Sequence, residues 1–176
     1  MTPNLEVMLL ITHDNKQLKL KLVYDPASGK LFRKLKKSLK EVGCLNKKLG
    51  YKVVRVGNTL YYSHRLAWIL YYGEWPVGCI DHIDGDKLNN SLSNLRQATS
   101  QENMRNLKKR CNTSSIYKGV TWCKRKKKWK AQIRFDDKNL HLGYFLEEEG
   151  AAKHYNEVVY KFHKEFSVFN EVNNEV

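Results

Sequence analysis

One stretch constrains this chain more than any other. "IDHIDGDKLNN", Ile80 to Asn90, puts three aspartates, a histidine and two asparagines at the end of a short apolar strand begun by Cys79-Ile80. Side chains of this kind bond to their own backbone and favour turns, so the stretch reads as a loop that the strand delivers. The turn reading accounts for Asp84 and Asp86 individually. It leaves Asp81 and His82 at the strand end. A carboxylate oxygen suits a hard cation such as Mg²⁺ or Mn²⁺. Neighbours on a regular strand face opposite ways, so the two would not share one ligand, and the pair makes sense where the strand stops and the loop bends. A calcium loop fits poorly. Counted from Asp81, glycine falls at the fifth position and Leu92 at the twelfth, where the calcium pattern needs glycine at the sixth and glutamate at the twelfth.

These acids stand out because the chain is basic. It has 32 Lys and Arg against 18 Asp and Glu, a formal net charge of +14 over 176 residues. An excess of that size favours a polyanionic partner. Between Arg105 and Arg134 there are twelve Lys or Arg and no acid. Aromatic and β-branched residues interleave with this charge in "IYKGVTWCKRKKKWKAQIRF", the mark of a basic sheet surface and not of a solvated tail. Hydrophobic residues make up 41%, enough for a packed core. No apolar run is long enough to span a bilayer. The opening "MTPNLEVMLLITHDNKQ" reads as part of the fold and not as a signal peptide. Cys44, Cys79, Cys111 and Cys123 lack zinc spacing and read as reduced thiols, which points to the cytoplasm.

Along the chain, "LKLKLVYDPASGKLFR" predicts two strands around a turn at 25–29, and "KLKKSLKEVG" a loop or short helix. Tyr51–Val56 and Thr59–Tyr62 form a hairpin through Gly57-Asn58. Ser63 is the expected N-cap of a helix over "HRLAWILYYG" with Leu66, Ile69 and Leu70 on one face, ended by Gly73 and Pro76. "LSNLRQAT" is a second short strand, "SQENMRNLKKR" a helix capped by Ser100, and "CNTSS" a linker. Then "YKGVTWCKR", "KWKAQIRFDD" and "KNLHLGYF" predict three strands. The helix that follows repeats Ala151, Tyr155, Val158 or Val159, and Phe162 on one face. The expected fold is α+β, divided as 1–48 (hairpin and basic region), 49–108, a linker at 109–115, and 116–171.

"HRLAWILYYGEWPVGCIDHIDGDKLNNSLSNLRQATSQENMRN" resembles the HNH nucleases of phages and homing endonucleases, with a ββα-metal site. The resemblance rests on Asp81-His82 at the first strand, Asn90 in the loop, Asn94-Leu95-Arg96 at the second strand and Asn103 on the helix. It implies that His82 is the general base and that Asp81 and Asn103 bind one divalent metal. It further implies that Asn94 positions the loop and orients His82, and that the products carry 5′-phosphate and 3′-hydroxyl ends. Many members have histidine where this chain has Asn103, and an amide oxygen argues for Mg²⁺ or Mn²⁺ over zinc. His64 and Arg65 also match the flanking pattern and are assigned to helix-start packing and phosphate contact. His13, His154 and His163 are assigned to surface or packing.

The last third is similar to the DNA-binding domain of plant ethylene-response factors, through "YKGVTW", "KWKAQIR", "HLGYF" and the following helix, with Lys118 where that family has arginine. This resemblance implies a sheet face in the major groove of double-stranded DNA, carrying Lys118, Thr121, Trp122, Lys124, Gln132, Arg134, Asn139, His141 and Tyr144. Gln132 and Arg134 share a strand face and suit base edges, whereas Lys118 and Lys124 suit phosphates. Trp129, Ile133, Leu142, Phe145, Tyr155 and Phe162 are expected in the sheet–helix core. The expected function is a metal-dependent DNA endonuclease of homing or phage type, acting without a membrane, in the cytoplasm of a bacterial host cell if of phage origin; the oligomeric state is left open, with a monomer slightly favoured. The alternative is a DNA-binding regulator with a decayed nuclease site. An RNA-binding protein is a weaker reading, because only Trp122 offers an exposed aromatic for stacking.

Overall fold

The computed structural model describes residues 18–107, 109, 113–136 and 138–172. The opening segment with His13, and Cys111 in the linker, lie outside them. The chain divides into two compact units, Met1–Thr99 and Ser100–Val176. The expected α+β class is observed, with antiparallel sheets and helices in both units.

The first unit opens with strands β1 (Leu22–Asp25), β2 (Lys30–Lys34) and β3 (Leu39–Val42) in an antiparallel sheet of that order. β1 and β2 enclose the expected turn. β3 replaces the loop or short helix anticipated for "KLKKSLKEVG". The Leu35 N–H donates to the Ser38 carbonyl at 2.9 Å, and this closes the turn that lets Leu39–Val42 pair with β2. Cross-strand pairing here outweighs local helix preference. A second sheet joins β4 (Cys44–Asn46), β5 (Tyr51–Val56) and β6 (Thr59–Tyr62), with β5 and β6 as expected and β4 additional. Arg33 Nη2 links the two sheets by donating to the Arg55 carbonyl at 2.6 Å.

Helix α1 (Ser63–Tyr72) follows directly on β6. Its N-cap is Tyr62, not Ser63, which is the first helical residue and whose buried hydroxyl has no hydrogen-bond partner. The strand runs straight into the helix, so no loop residue is available to cap it. Gly73 ends the helix at φ 88°, donating its N–H to the Ile69 carbonyl at 2.9 Å. Leu66, Ala67 and Ile69 are fully buried. Leu66 and Ile69 pack with Leu18, Leu22, Leu31 and Val54, so residues of the first sheet, set apart as 1–48 on sequence, share a core with α1. Each such aliphatic side chain contributes about 1.5–3 kcal/mol by leaving water. A neighbouring cluster of Ala67, Trp68, Ile80 and Leu95 carries the two strands β7 (Cys79–His82) and β8 (Leu95–Ala98), and Tyr24 packs against both clusters.

The second unit begins with helix α2 (Ser100–Arg105) and continues with β9 (Val120–Cys123), β10 (Lys128–Phe135) and β11 (Lys138–Phe145) in the sheet order β11-β10-β9. Helix α3 (Glu148–His163) packs on it. Val120, Ala131, Ala151 and Ala152 form one core cluster, and Ile133, Tyr155 and Val159 another. Trp129, Leu142, Phe145 and Phe162 are half-buried against them. The small residues Ala151 and Ala152 let the helix lie close on the sheet. Among the described residues, no helix is long and apolar enough to cross a membrane.

Candidate active site and candidate nucleic-acid face

β7 and β8 pair antiparallel, with Asp81 opposite Arg96 and His82 opposite Leu95. Asp81 is 3% exposed, and its Oδ2 accepts from Arg96 Nε at 2.8 Å and stands 2.7 Å from Nη2. A buried carboxylate needs such a partner, and a cross-strand guanidinium supplies it without a loop. Alternation along β7 turns His82 the other way. His82 is 5% exposed, and its Nε2 lies 3.1 Å from Asn90 Oδ1. An amide oxygen only accepts, so this contact is a hydrogen bond when Nε2 carries a proton.

The loop between the strands is fixed from within. The Gly85 N–H donates to the His82 carbonyl at 2.9 Å and turns the chain immediately after the strand. Asn94 Oδ1 accepts from the Asp84 N–H at 3.0 Å, and its Nδ2 donates to Asp84 Oδ1 and to the Asn89 carbonyl, both at 2.9 Å. Asn94 therefore bonds within the loop on the Asp84 side, and the amide that reaches His82 belongs to Asn90. Sequence reading matches Asn90 to the family loop without giving it this role. A second asparagine in the same loop is the one signal that could have found it. Burial opposes ionisation of Asp84, yet bonds from Asn89, the Asp86 N–H and Asn94, with the His82 charge, hold its carboxyl below the usual range. The Asp86 carboxylate accepts from the Leu88 N–H at 2.9 Å, so both aspartates serve the turn.

His64 packs beside this site. Its ring lies 5.3 Å from the His82 ring, edge-on, and 5.1 Å from Tyr51, and stacks on Tyr62 at 5.4 Å. Burial, then the charges of His82 and Arg65, depress its pKa to about 3. The ring is thus neutral at neutral pH and forms an uncharged wall. Arg65 donates to the Gly78 carbonyl at 3.2 Å. Asn90 itself is 2% exposed, and its Nδ2 has no hydrogen-bond partner. Leaving such a group buried costs roughly 1–3 kcal/mol. The amide is therefore held in place by its backbone.

Among the described residues, no three His, Cys, Asp or Glu side chains gather. A cation here would rest on one carboxylate, Asp81, with neutral oxygens and water. That set fits Mg²⁺, which keeps several waters and takes one or two carboxylates plus phosphate oxygens. Asn103 stands on α2, which belongs to the second unit.

In the second unit, Ala131 and Ile133 face the helix, so Lys130, Gln132 and Arg134 take the open face of β10. The register sets Thr121 and Tyr144 beside Lys130, His141 beside Gln132, and Asn139 beside Arg134. Thr121, Gln132, Arg134, Asn139, His141 and Tyr144 thus share one face of the sheet. Two residues differ. Trp122 alternates onto the other face, where its ring meets Trp129 at 5.0 Å. Lys118 donates its amine to the Arg105 and Leu107 carbonyls at 2.5 and 2.7 Å, and burial depresses its pKa to about 8. It ties down the end of α2 instead of standing ready for phosphate. Lys124 lies in an exposed turn, 124–127, that is basic throughout, with Lys127 at φ 49°. Lys126 Nζ sits 4.1 Å from the Tyr144 ring centroid. His163 is buried, and its Nε2 bonds to the Arg134 carbonyl at 2.9 Å. His154 meets Glu157 at 3.0 Å.

Residues 61–105 match the family model described as HNH endonuclease. Protein 3.8 of Escherichia phage T7 is 38% identical over 76 residues, covering 43% of this chain and 63% of that protein. An uncharacterised HNH endonuclease of Acanthamoeba polyphaga mimivirus is 37% identical over 93 residues, covering 53% of this chain and 47% of that protein. The chain thus spans less than two thirds of the length of either relative. No solved structure is a significant match. The matched segment contains β7, β8, the loop between them, His64 and α2, so the similarity to HNH endonucleases covers the strands and loop of the candidate site.

Proposed function

We propose that this protein is a metal-dependent DNA endonuclease of phage type, in which the HNH segment cuts and the sheet of the second unit docks on double-stranded DNA. The observation that carries the reading is His82, buried at the end of β7 with Nε2 against the Asn90 amide oxygen at 3.1 Å. That arrangement ties the imidazole to the loop and fixes the direction of the ring. Phosphodiester hydrolysis needs a base for the attacking water, relief of phosphate charge, and stabilisation of the departing oxygen.

In this reading His82 takes the proton of the water. Asp81 binds the divalent cation, Mg²⁺ or Mn²⁺, and Arg96 fixes the direction of its carboxylate. The assignment of Asn103 as a second ligand rests on the family resemblance. The cation, when bound, neutralises the phosphate and the departing 3′-oxygen. His64 and Tyr51 set their rings beside His82, with Tyr62 packed behind both, and limit access of bulk water. Cleavage leaves 5′-phosphate and 3′-hydroxyl ends. The open face of the second unit supports docking by its composition. Gln132 and Arg134 can pair with adenine and guanine edges, and the basic 124–127 turn suits phosphates.

Incubation with plasmid and phage DNA in Mg²⁺, Mn²⁺ or EDTA, followed by end mapping, tests this. Metal-dependent scission with the stated ends is expected. His82→Ala abolishes cutting while leaving DNA affinity within about twofold, because the imidazole supplies little of the phosphate attraction. Asp81→Ala and Asn103→Ala also stop or slow cutting through loss of metal. Tight DNA binding by the wild type with no scission in either metal would favour the regulator reading instead.

A further inference from the structure

The hairpin β1–β2 reaches the candidate active site from outside the matched segment. Tyr24 Oη donates to the Asn90 carbonyl at 2.8 Å. The Leu92 N–H donates to the Pro26 carbonyl at 2.9 Å. Gly29, at φ 70°, lies so close to this strand of the loop that a Cβ there would collide with the main chain of Asn90 and Ser91. The turn that reaches the loop in this way is braced in its own right. The Asp25 carboxylate accepts from the Ala27 N–H at 3.1 Å and from Ser28 Oγ at 2.5 Å, and the Gly29 N–H donates to the Asp25 carbonyl at 2.9 Å. Burial, then the charge of Asp25, pushes the Tyr24 phenol well above its ordinary pKa, so it stays a donor.

The loop supplies no equivalent support for Asn90. Asn94 and Asn89 bond to Asp84, to Ser91 and to each other, on the Asp84 side of the loop. The Asn90 amide has one hydrogen bond, to His82, and no partner at Nδ2. Its direction is therefore inherited from its main chain, and its main chain is held by the hairpin.

We propose that Tyr24 and Gly29 are positioning residues for the cleavage reaction. They clamp the Asn90 backbone so that its amide oxygen fixes the ring orientation and tautomer of His82. The proposal takes His82 as the base from the reading above. It adds that this base is set by a hairpin some sixty residues earlier in the chain, and not by the HNH segment alone.

The test uses the full-length protein in single-turnover cleavage, with Tyr24→Phe, Asn90→Ala, the double variant and Gly29→Ala. Tyr24→Phe removes one hydroxyl and leaves the ring in its core. It should slow cleavage about three- to tenfold, the scale of one hydrogen bond, with DNA affinity unchanged. Asn90→Ala should slow it more, and the double variant should be no slower than Asn90→Ala, because Tyr24 acts through Asn90. Gly29→Ala should cost roughly a hundredfold, as an ångström-scale displacement of a reacting group does. If Gly29→Ala fails to fold, the Tyr24 and Asn90 cycle decides alone. A merely structural role for Tyr24 predicts multiplicative losses in the double variant, and that result overturns the proposal, as does an unchanged rate for Tyr24→Phe.

Long-range ¹H–¹⁵N spectra of the His82 ring provide a readout independent of activity. The wild type should show the Nε2–H tautomer, and Tyr24→Phe and Asn90→Ala a mixture. A wild type that cuts no DNA but shows this tautomer pattern would sink the nuclease reading and leave the positioning intact. A tautomer insensitive to Tyr24→Phe would do the reverse.

Discussion

At the scale of single residues, His64 and His82 are two buried imidazoles with opposite tasks. His82 is tied to an amide oxygen, and His64 is walled by aromatic rings and kept neutral. Folding depresses the His64 pKa to about 3 from an ordinary 6.5. Below pH 6.5 the unfolded chain takes up a proton that the folded chain refuses. His64 thus contributes stability that is fully present above pH 6.5 and is lost as pH falls toward 3. The slope is at most about 1.4 kcal/mol per pH unit. Urea titrations between pH 7 and pH 4 should show this fall, and a His64→Phe variant should flatten it. An unchanged slope in the variant would assign the acid sensitivity elsewhere, for instance to Asp84. The sequence marks His82, Asp81 and Asn94 because their motif is local. It cannot assign Asn90 to His82, because two asparagines stand side by side and only the folded turn decides which amide points inward. Arg96 is readable in principle, since antiparallel pairing sets it opposite Asp81.

At the scale of elements, strands bounded by glycine or asparagine turns are legible, as are both longer helices. β3 is not, because "KLKKSLKEV" has no apolar alternation, and what holds it to β2, the backbone ladder and the Lys30–Glu41 ion pair at 3.1 Å, exists only once the strands are side by side. The expected helix cap at Ser63 fails for a related reason: β6 enters α1 without an intervening loop. In the second unit the close approach of β9 to α3 depends on Gly119, at φ 77°, where a Cβ would strike the Tyr155 ring and the Gln132 carbonyl. Gly119→Ala combines a left-handed backbone with overpacking and should destabilise that unit by about 2–4 kcal/mol. Thermal melts followed by tryptophan fluorescence, with Trp122 and Trp129 as reporters, would detect it. The first unit should melt as before, and a shared downward shift of both transitions would contradict this.

At the scale of the whole molecule, the excess positive charge divides into fixed and available parts, and only the structure separates them. Lys118 is occupied by main-chain carbonyls, whereas Lys124, Arg125, Lys126 and Lys127 crowd one exposed turn. Replacing those four by glutamine should lower the log–log salt slope of DNA binding by about 0.9 for each phosphate no longer neutralised, at most about 3.6. Arg134→Ala should instead cost roughly 1–3 kcal/mol on a preferred duplex and little on a scrambled one. Titrations of both duplexes at two salt concentrations would distinguish them, and equal losses for Arg134→Ala would make the second unit a non-specific clamp. The division of cores has an evolutionary reading as well. Residues 61–105 match a family, yet α1 finishes its core with Leu18, Leu22 and Leu31, and the loop main chain is latched at Asn90 by Tyr24 and at Leu92 by Pro26. A cassette exchanged between genes at the borders of the match would arrive without its latch. The heritable unit around the matched segment is therefore longer than its recognisable signature, and recombination that respects only the signature should yield chains that fold poorly.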